Sequence, residues 1–271
     1  MRVARVSISS MFLWDLDPGR MAVVIRDAGL EEMEFWAETP WYWEGGRRRE
    51  QAKLINRELG GRITTLHAPV MDLNPSSYND LVSTATITES LRAIDLAEFL
   101  GAELVVVHPG KRTAKRPARE AEREKLRRYL DACLGRAEER GVLLAIENLE
   151  PAPWNLCADP DEMASFLGQF PIGMTLDISH ATPPSSRAMA FVKALGDRIQ
   201  NVHVSTTING VRHLPASSGS ADDVLTALRD AGYRGPLTLE LDDKKFPETL
   251  STEDKVRVIK RERLHLESIW D

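Results

Sequence analysis

Eight short apolar segments alternate with helix-type segments along the chain, and this alternation constrains the fold most strongly. The β-type segments cover residues 3–9, 33–36, 63–67, 104–108, 143–147, 173–177, 199–204 and 237–241. The helix-type segments cover residues 18–28, 46–59, 81–100, 117–140, 185–195, 221–231 and 252–269. Several of the β-type segments are almost wholly apolar, which is typical of parallel strands covered on both faces.

Eight strands with intervening helices in 271 residues predict an α/β protein, a single (β/α)₈ TIM barrel occupying residues 1–271. A doubly wound open sheet is the competing architecture. It would usually show a glycine-rich phosphate turn after its first strand, whereas here that strand runs into SSMFLWDLDPG. The long loop at residues 67–80 has no secondary-structure pattern, and loops of this length inside a compact domain are usually functional.

Composition excludes several classes of protein. Hydrophobic residues make up 42% of the chain, which argues against a disordered chain. The two cysteines, Cys133 and Cys157, form no C-x-x-C motif, so neither a disulfide scaffold nor a zinc–thiolate site is indicated and a reducing cytoplasm is expected. No apolar run reaches the roughly 18 residues of a membrane span. A net charge of −6 gives no global attraction to nucleic acid, although a local basic groove stays open.

Histidine and carboxylate residues recur where the predicted strands end. Strands three to eight carry, at or near their carboxyl ends, His67, His108, Glu147, Asp177, His203 and Glu240, and the adjoining loops add His180 and His213. A TIM barrel gathers its active-site groups at these ends. One such histidine is more often structural than a ligand, but buried imidazoles and carboxylates crowded together need a compensating charge. The pattern therefore predicts a divalent metal site for Zn²⁺, Mn²⁺, Co²⁺ or Fe²⁺.

These residues lie in segments that resemble the xylose isomerase-like TIM barrel superfamily. The resemblance is carried by LHAPVMDLNPSS, LVVVHPG, LLAIENLEP, MTLDISHA, NVHVS, RHLP and LTLELD. That superfamily holds sugar isomerases and epimerases together with the endonuclease IV group of the AP endonuclease family 2. It implies a four-ligand metal site of Glu147, Asp177, His203 and Glu240. In its ketose epimerases the two glutamates also exchange the substrate proton.

The endonuclease IV group implies further metals. Its second site matches His67 and His108, which share Glu147, and its third site matches His180 and His213. The third site also takes an aspartate two residues before the loop histidine, where this chain has Val211. Under an isomerase interpretation, His180 instead holds a substrate oxygen, and His67 and His108 line the pocket.

Two enzyme functions and one binding function follow from the resemblance. The first is a divalent-metal-dependent isomerase or epimerase of a small sugar or sugar phosphate, in which Glu147 and Glu240 transfer protons through a metal-stabilised enediolate. The alternative is an endonuclease IV-like zinc phosphodiesterase acting at abasic sites in DNA. A non-catalytic sugar-binding barrel is the lesser alternative, because such a protein would be expected to have lost metal ligands.

Other residues are candidates for the surroundings of the site. Lys111 and Arg112 begin a basic run that follows the fourth strand and is suited to a sugar phosphate, to DNA phosphates or to solvent. Glu34 and Trp36 end the second strand and are expected either to line the pocket or to pack in the core. The aromatic residues at 41–43 suit an apolar lid or a homodimer contact. Beside Glu147, Asn148 and Glu150 are expected to orient the ligands.

Overall fold

The structure, a computed structural model, describes residues 5–43, 46–181, 184–219 and 221–270. Eight parallel strands close into a barrel. The strands are β1 (Arg5–Ser9), β2 (Glu32–Trp36), β3 (Ile63–His67), β4 (Leu104–Val107), β5 (Leu143–Glu147), β6 (Gly173–Asp177), β7 (Ile199–Val204) and β10 (Pro236–Leu239). The barrel closes where β1 pairs with β10, with Val6 opposite Leu237. The predicted (β/α)₈ barrel is confirmed.

Helices cover the outside of the barrel. They are α1 (Pro18–Asp27), α2 (Pro40–Trp43), α3 (Arg48–Leu59), α4 (Asp80–Leu100), α5 (Glu120–Arg140), α6 (Pro160–Leu167), α7 (Pro184–Leu195), α8 (Asp222–Asp230) and α9 (Thr252–Trp270). Helix α4 begins where the Asn79 side chain accepts a hydrogen bond from the Leu81 amide, and it ends at Gly101, whose φ of 76° few other residues adopt. Within the described ranges, no helix combines the length and apolar character needed to cross a bilayer.

Helix α2, helix α6 and one hairpin were not predicted from the sequence. Helix α6 is only eight residues long, but its start carries a recognisable signal, because Asp159 caps the helix and Pro160 occupies the first turn. A hairpin of β8 (Thr206–Ile208) and β9 (Val211–Leu214) follows β7. Its turn consists of Asn209 and Gly210, with φ values of 51° and 79°, which is the backbone that a tight hairpin requires.

The inside of the barrel contains a polar layer below the mouth. Ser7, Glu34, Thr65, Asn201 and Thr238 are all buried and are joined by hydrogen bonds. The interior of a TIM barrel is more often filled by branched apolar side chains. The apolar residues that alternate with this layer along the strands pack outward beneath the helices. The polar layer therefore forms the floor beneath the histidine and carboxylate side chains at the mouth.

Candidate metal centre

The strand ends deliver the predicted ligands to one place. His67, Glu147 and Asp177 are the last residues of β3, β5 and β6, and His203 is the penultimate residue of β7. Glu240 directly follows β10. Because all of these strands run parallel, their carboxyl ends meet at the same mouth of the barrel. His108 joins them although its strand, β4, ends one residue earlier than predicted.

Four of these residues form a compact core group. Glu147, Asp177, His203 and Glu240 are buried, and each offers one ligand atom within 4.8 Å of the others. Each also has an atom that makes no hydrogen bond within the described residues: Glu147 Oε1, Asp177 Oδ2, His203 Nδ1 and Glu240 Oε2. Buried polar atoms without partners are costly. A divalent cation would satisfy all four, and nitrogen and oxygen donors of this kind suit zinc, manganese, cobalt or iron.

Charge coupling within the core group is strong. Burial alone lowers the pKa of His203, but the carboxylates of Glu240, Glu34 and Glu147 outweigh it and hold that pKa well above its ordinary value. Burial alone raises the pKa of Glu147, but His108 and His203 hold it well below the usual range. The metal-free site therefore keeps protons on imidazoles beside ionised carboxylates, where a bound cation would replace them.

A second group shares the Glu147 carboxylate. The Nε2 atoms of His67 and His108 lie 3.3 and 3.2 Å from Oε2 of Glu147. The Nδ1 atom of His67 lies 2.8 Å from the carbonyl oxygen of Ala68, which only accepts, so Nδ1 carries the ring hydrogen. In a neutral ring, Nε2 then turns a lone pair toward the carboxylate. Either a proton or a cation must lie between these two acceptors.

A third group lies on the other side of the core. Asp177, His180 and His213 bring one ligand atom each within 4.8 Å of one another. Nδ1 of His180 lies 3.3 Å from Oδ2 of Asp177. Burial lowers the pKa of His180, but Asp177 and Glu147 outweigh it and raise that pKa to about 10. Burial raises the pKa of Asp177 to about 6, and the charge of Glu240 adds to the rise. The Val211 side chain, which is 39% exposed on the hairpin, offers no ligand atom. This group therefore has three ligands among the described residues.

A cavity of about 250 Å³ opens beside these groups. His108 and His180 line it on the side of the candidate metal ligands, and Lys111, Glu150 and Arg212 line it elsewhere. Nη1 of Arg212 lies 3.2 Å from Oε1 of Glu150, whereas the ammonium group of Lys111 has no ion-pair partner among the described residues. The cavity lining therefore combines two histidines of the second and third groups with the exposed residue Lys111.

Asn74 fixes the loop that carries Lys111. Its side-chain oxygen accepts from the Lys111 amide at 3.0 Å, and its side-chain nitrogen donates to the Lys111 carbonyl at 2.6 Å. Arg112 is not brought to the cavity. Its Nε lies 3.2 Å from Oε1 of Glu122, and its guanidinium lies over the Tyr78 ring. Neither Asn74 nor Arg212 was identified from the sequence, although Arg212 directly precedes a predicted ligand.

The other predicted residues either contact the candidate ligands or are buried in the protein interior. Trp36 contacts the His67 ring edge-on, with ring centroids 5.8 Å apart. The Asn148 side chain makes two hydrogen bonds with the Asp177 backbone, of 3.0 and 2.8 Å, and so orients this ligand. Glu34 lies inside the barrel. Tyr42 is buried against Phe35. The proposed homodimer contact stays a prediction.

Fold and site together define a (β/α)₈ barrel with a candidate metal centre at the carboxyl ends of its strands. The chain belongs to the xylose isomerase-like TIM barrel family, whose model matches residues 23–262. The resemblance inferred from the sequence motifs is thereby confirmed.

Individual proteins match along nearly the whole chain. The uncharacterized protein MJ1188 of Methanocaldococcus jannaschii is 31% identical over 270 residues, which is 98% of this chain and 99% of that protein. A D-tagatose 3-epimerase-like protein of known structure has a TM-score of 0.74 at 24% identity, covering 97% of this chain and 98% of its own. An L-ribulose 3-epimerase has a TM-score of 0.76 at 19% identity, covering 98% and 94%. At these identities the solved structures establish the fold alone.

Proposed function

We propose that this protein is a divalent-metal-dependent isomerase or epimerase of a small sugar or sugar phosphate. The observation that carries the proposal is the placement of Glu147 and Glu240 at the two ends of an arc of four neighbouring strands, with Asp177 and His203 between them. Both glutamates are buried, and each has one oxygen without a hydrogen bond within the described residues. Moving a carbon-bound proton between two faces of a substrate requires such a pair of carboxylates.

The core group would hold the metal through Glu147, Asp177, His203 and Glu240. When bound, the cation would supply Lewis-acid stabilisation of the negative charge that develops on adjacent substrate oxygens. One glutamate then removes the carbon-bound proton and the other returns one. His180, beside the cavity, donates a hydrogen bond to a substrate oxygen.

The cavity favours a small substrate. Its volume of about 250 Å³ suits one sugar unit. Lys111 supplies a positive charge that has no ion-pair partner among the described residues, which favours a phosphorylated sugar over a neutral one. Structural neighbours named as epimerases of D-tagatose type and of L-ribulose support a ketose as the sugar.

A second candidate function has an observation of its own. The groups His67–His108–Glu147 and Asp177–His180–His213 offer further metal positions beside the core. Two or three clustered zinc ions are suited to phosphodiester hydrolysis, including cleavage of DNA at abasic sites. Against this, the third group has only three ligands because Val211 offers no oxygen from its side chain.

Metal stoichiometry combined with a deuterium-exchange assay tests the proposal. Elemental analysis is done on untagged protein purified without chelator, and ketoses and ketose phosphates are incubated with it in D₂O. About one equivalent of metal with deuterium entering the substrate carbon supports the isomerase. Two or three equivalents of zinc with cleavage of abasic-site DNA would replace it with the phosphodiesterase. Sugar binding without metal or turnover would replace both with a sugar-binding barrel.

A further inference from the structure

Glu34, on β2, contacts the core group from across the barrel interior. Its Oε2 atom lies 3.1 Å from Nε2 of His203, and both residues are fully buried. Glu34 belongs to β2 and His203 to β7, and β1 and β10 lie between these strands in the barrel. Glu34 is not a ligand in any of the three groups. Its contact with the core group is therefore made through His203.

Hydrogen-bond directions show that Glu34 is an acceptor. Asn201 donates from Nδ2 to Oε2 of Glu34 at 3.2 Å, and the Thr65 hydroxyl donates to the same oxygen at 3.1 Å. In this orientation the Asn201 oxygen accepts from the Thr238 hydroxyl at 3.0 Å, whereas a reversed amide would place that oxygen against Oε2 of Glu34, two acceptors with no hydrogen between them. Ser7 ends this chain of donors, 2.9 Å from Thr238. Asn201 and Thr65 therefore both donate to Oε2 of Glu34, and Thr238 and Ser7 support this arrangement through Asn201.

The tautomer of His203 follows from this arrangement. A carboxylate that accepts every other hydrogen bond leaves Nε2 of His203 as a donor, so the neutral ring has its lone pair on Nδ1. That atom lies 3.2 Å from Oε2 of Glu240 and 3.4 Å from Oε2 of Glu147. Nδ1 is therefore presented as a ligand at the centre of the core group.

We propose that Glu34 is a positioning residue that holds His203 in the Nε2–H tautomer and raises the metal affinity of the core site. A carboxylate behind a ligating imidazole fixes the ring orientation and increases the basicity of the opposite nitrogen. The inference rests on the metal site of the proposed function.

The test compares Glu34→Gln with Ser7→Ala in Mn²⁺ titrations of chelator-stripped protein. Gln has nearly the size of Glu and keeps an acceptor oxygen, and its amide nitrogen would occupy the position of Oε1, which has no hydrogen-bond partner within the described residues. The variant therefore removes mainly the charge. We expect the Kd for Mn²⁺ to rise about 10- to 100-fold in Glu34→Gln, as is typical for such partners. Ser7→Ala, at the far end of the hydrogen-bonded chain, is expected to stay near the wild-type value.

A second measurement uses the wild-type protein and therefore does not require that any variant folds. Nitrogen-15 histidine spectra of the zinc-loaded wild-type protein should show a ring with hydrogen on Nε2 and metal on Nδ1, protected from solvent exchange. An unchanged Kd in Glu34→Gln, an equal loss in Ser7→Ala, or a His203 ring bound through Nε2 would each overturn the role of Glu34. A wild-type protein that takes up no metal would instead overturn the proposed function itself.

Discussion

Nδ1 of His203 lies 3.2 Å from Oε2 of Glu240, and each atom is buried without a hydrogen bond within the described residues. Water cannot reach either atom to compensate for this arrangement. The pair is stable only with a positive charge between or beside the two atoms, supplied by a proton or by a cation. The relationship therefore links metal binding, protonation and catalysis at one point.

Replacing Glu240 with Gln should separate ligation from proton transfer. The amide keeps the size of the side chain but cannot accept a substrate proton, so we expect turnover to fall about 10²- to 10⁴-fold even at full metal occupancy. Turnover and bound metal are measured on the same sample, with saturating Mn²⁺. Asp242→Asn, two residues along the chain and outside the three groups, is the matched control. If excess metal restores full turnover to Glu240→Gln, Glu240 is a ligand only.

Metal affinity should rise with pH. In the metal-free protein the pKa of His180 is raised to about 10, and that of His203 lies well above its ordinary value. The imidazolium proton of His203 must leave before its Nδ1 binds the core metal, so the apparent affinity gains about tenfold per pH unit from that proton, and a further tenfold per pH unit only where a second metal takes His180 as a ligand. Below about pH 6, protonation of the Asp177 carboxylate lowers the metal affinity further. Calorimetry at several pH values, in buffers of different ionisation enthalpy, counts the protons released. An affinity independent of pH would contradict the charge coupling described here.

The barrel and its ligand positions could be predicted from the sequence because both depend on local sequence patterns. Apolar segments of four to seven residues marked the strands, and parallel strands bring their ends together whatever the details of packing. For this reason Glu147 and Asp177, which end the neighbouring strands β5 and β6, could be assigned to one site. The family resemblance added which ends carry ligands.

Contacts across the barrel or between loops could not be predicted from such local signals. Glu34 and His203 are separated by 169 positions, and their contact depends on the diameter of the closed barrel. Arg112 was assigned to the site because it lies close to a strand end, but Glu122 on α5 pairs with its guanidinium. Both outcomes depend on side-chain directions, which the periodicity of the sequence does not specify.

Lys111→Gln should reduce affinity for a phosphorylated substrate selectively. Lys111 is an exposed residue of the cavity lining and has no ion-pair partner among the described residues, so we expect its charge to act on the ligand and not on the fold. We expect KM for a ketose phosphate to rise about tenfold, in keeping with the loss of one charge-assisted hydrogen bond, while KM for the neutral ketose stays unchanged. The control is Arg116→Gln in the same loop, since Arg116 is exposed and outside the cavity lining. Equal effects on both substrates would contradict a phosphate contact.

Glu38 connects the end of β2 to the long loop after β3, and it should make stability depend on pH. Its two carboxylate oxygens each accept a backbone hydrogen bond of 2.7 Å, from Val70 and from Met71. Burial raises the pKa of Glu38 to about 7, despite these hydrogen bonds and the nearby His67. The ordinary value is 4.5, so between about pH 4.5 and 7 the folded protein holds a proton that the unfolded chain has lost.

The free energy of unfolding contributed by Glu38 therefore falls as pH rises through this window, by up to roughly 3 kcal/mol. Glu38→Gln cannot ionise and should lack this dependence. Urea unfolding of wild type and variant at pH 5 and pH 8, both saturated with metal, measures the difference. We expect the wild type to lose stability relative to Glu38→Gln between the two pH values, whereas the exposed replacement Glu31→Gln should follow the wild type. Parallel pH profiles for the wild type and Glu38→Gln would show that the loop keeps Glu38 ionised throughout, because the two backbone donors then outweigh burial.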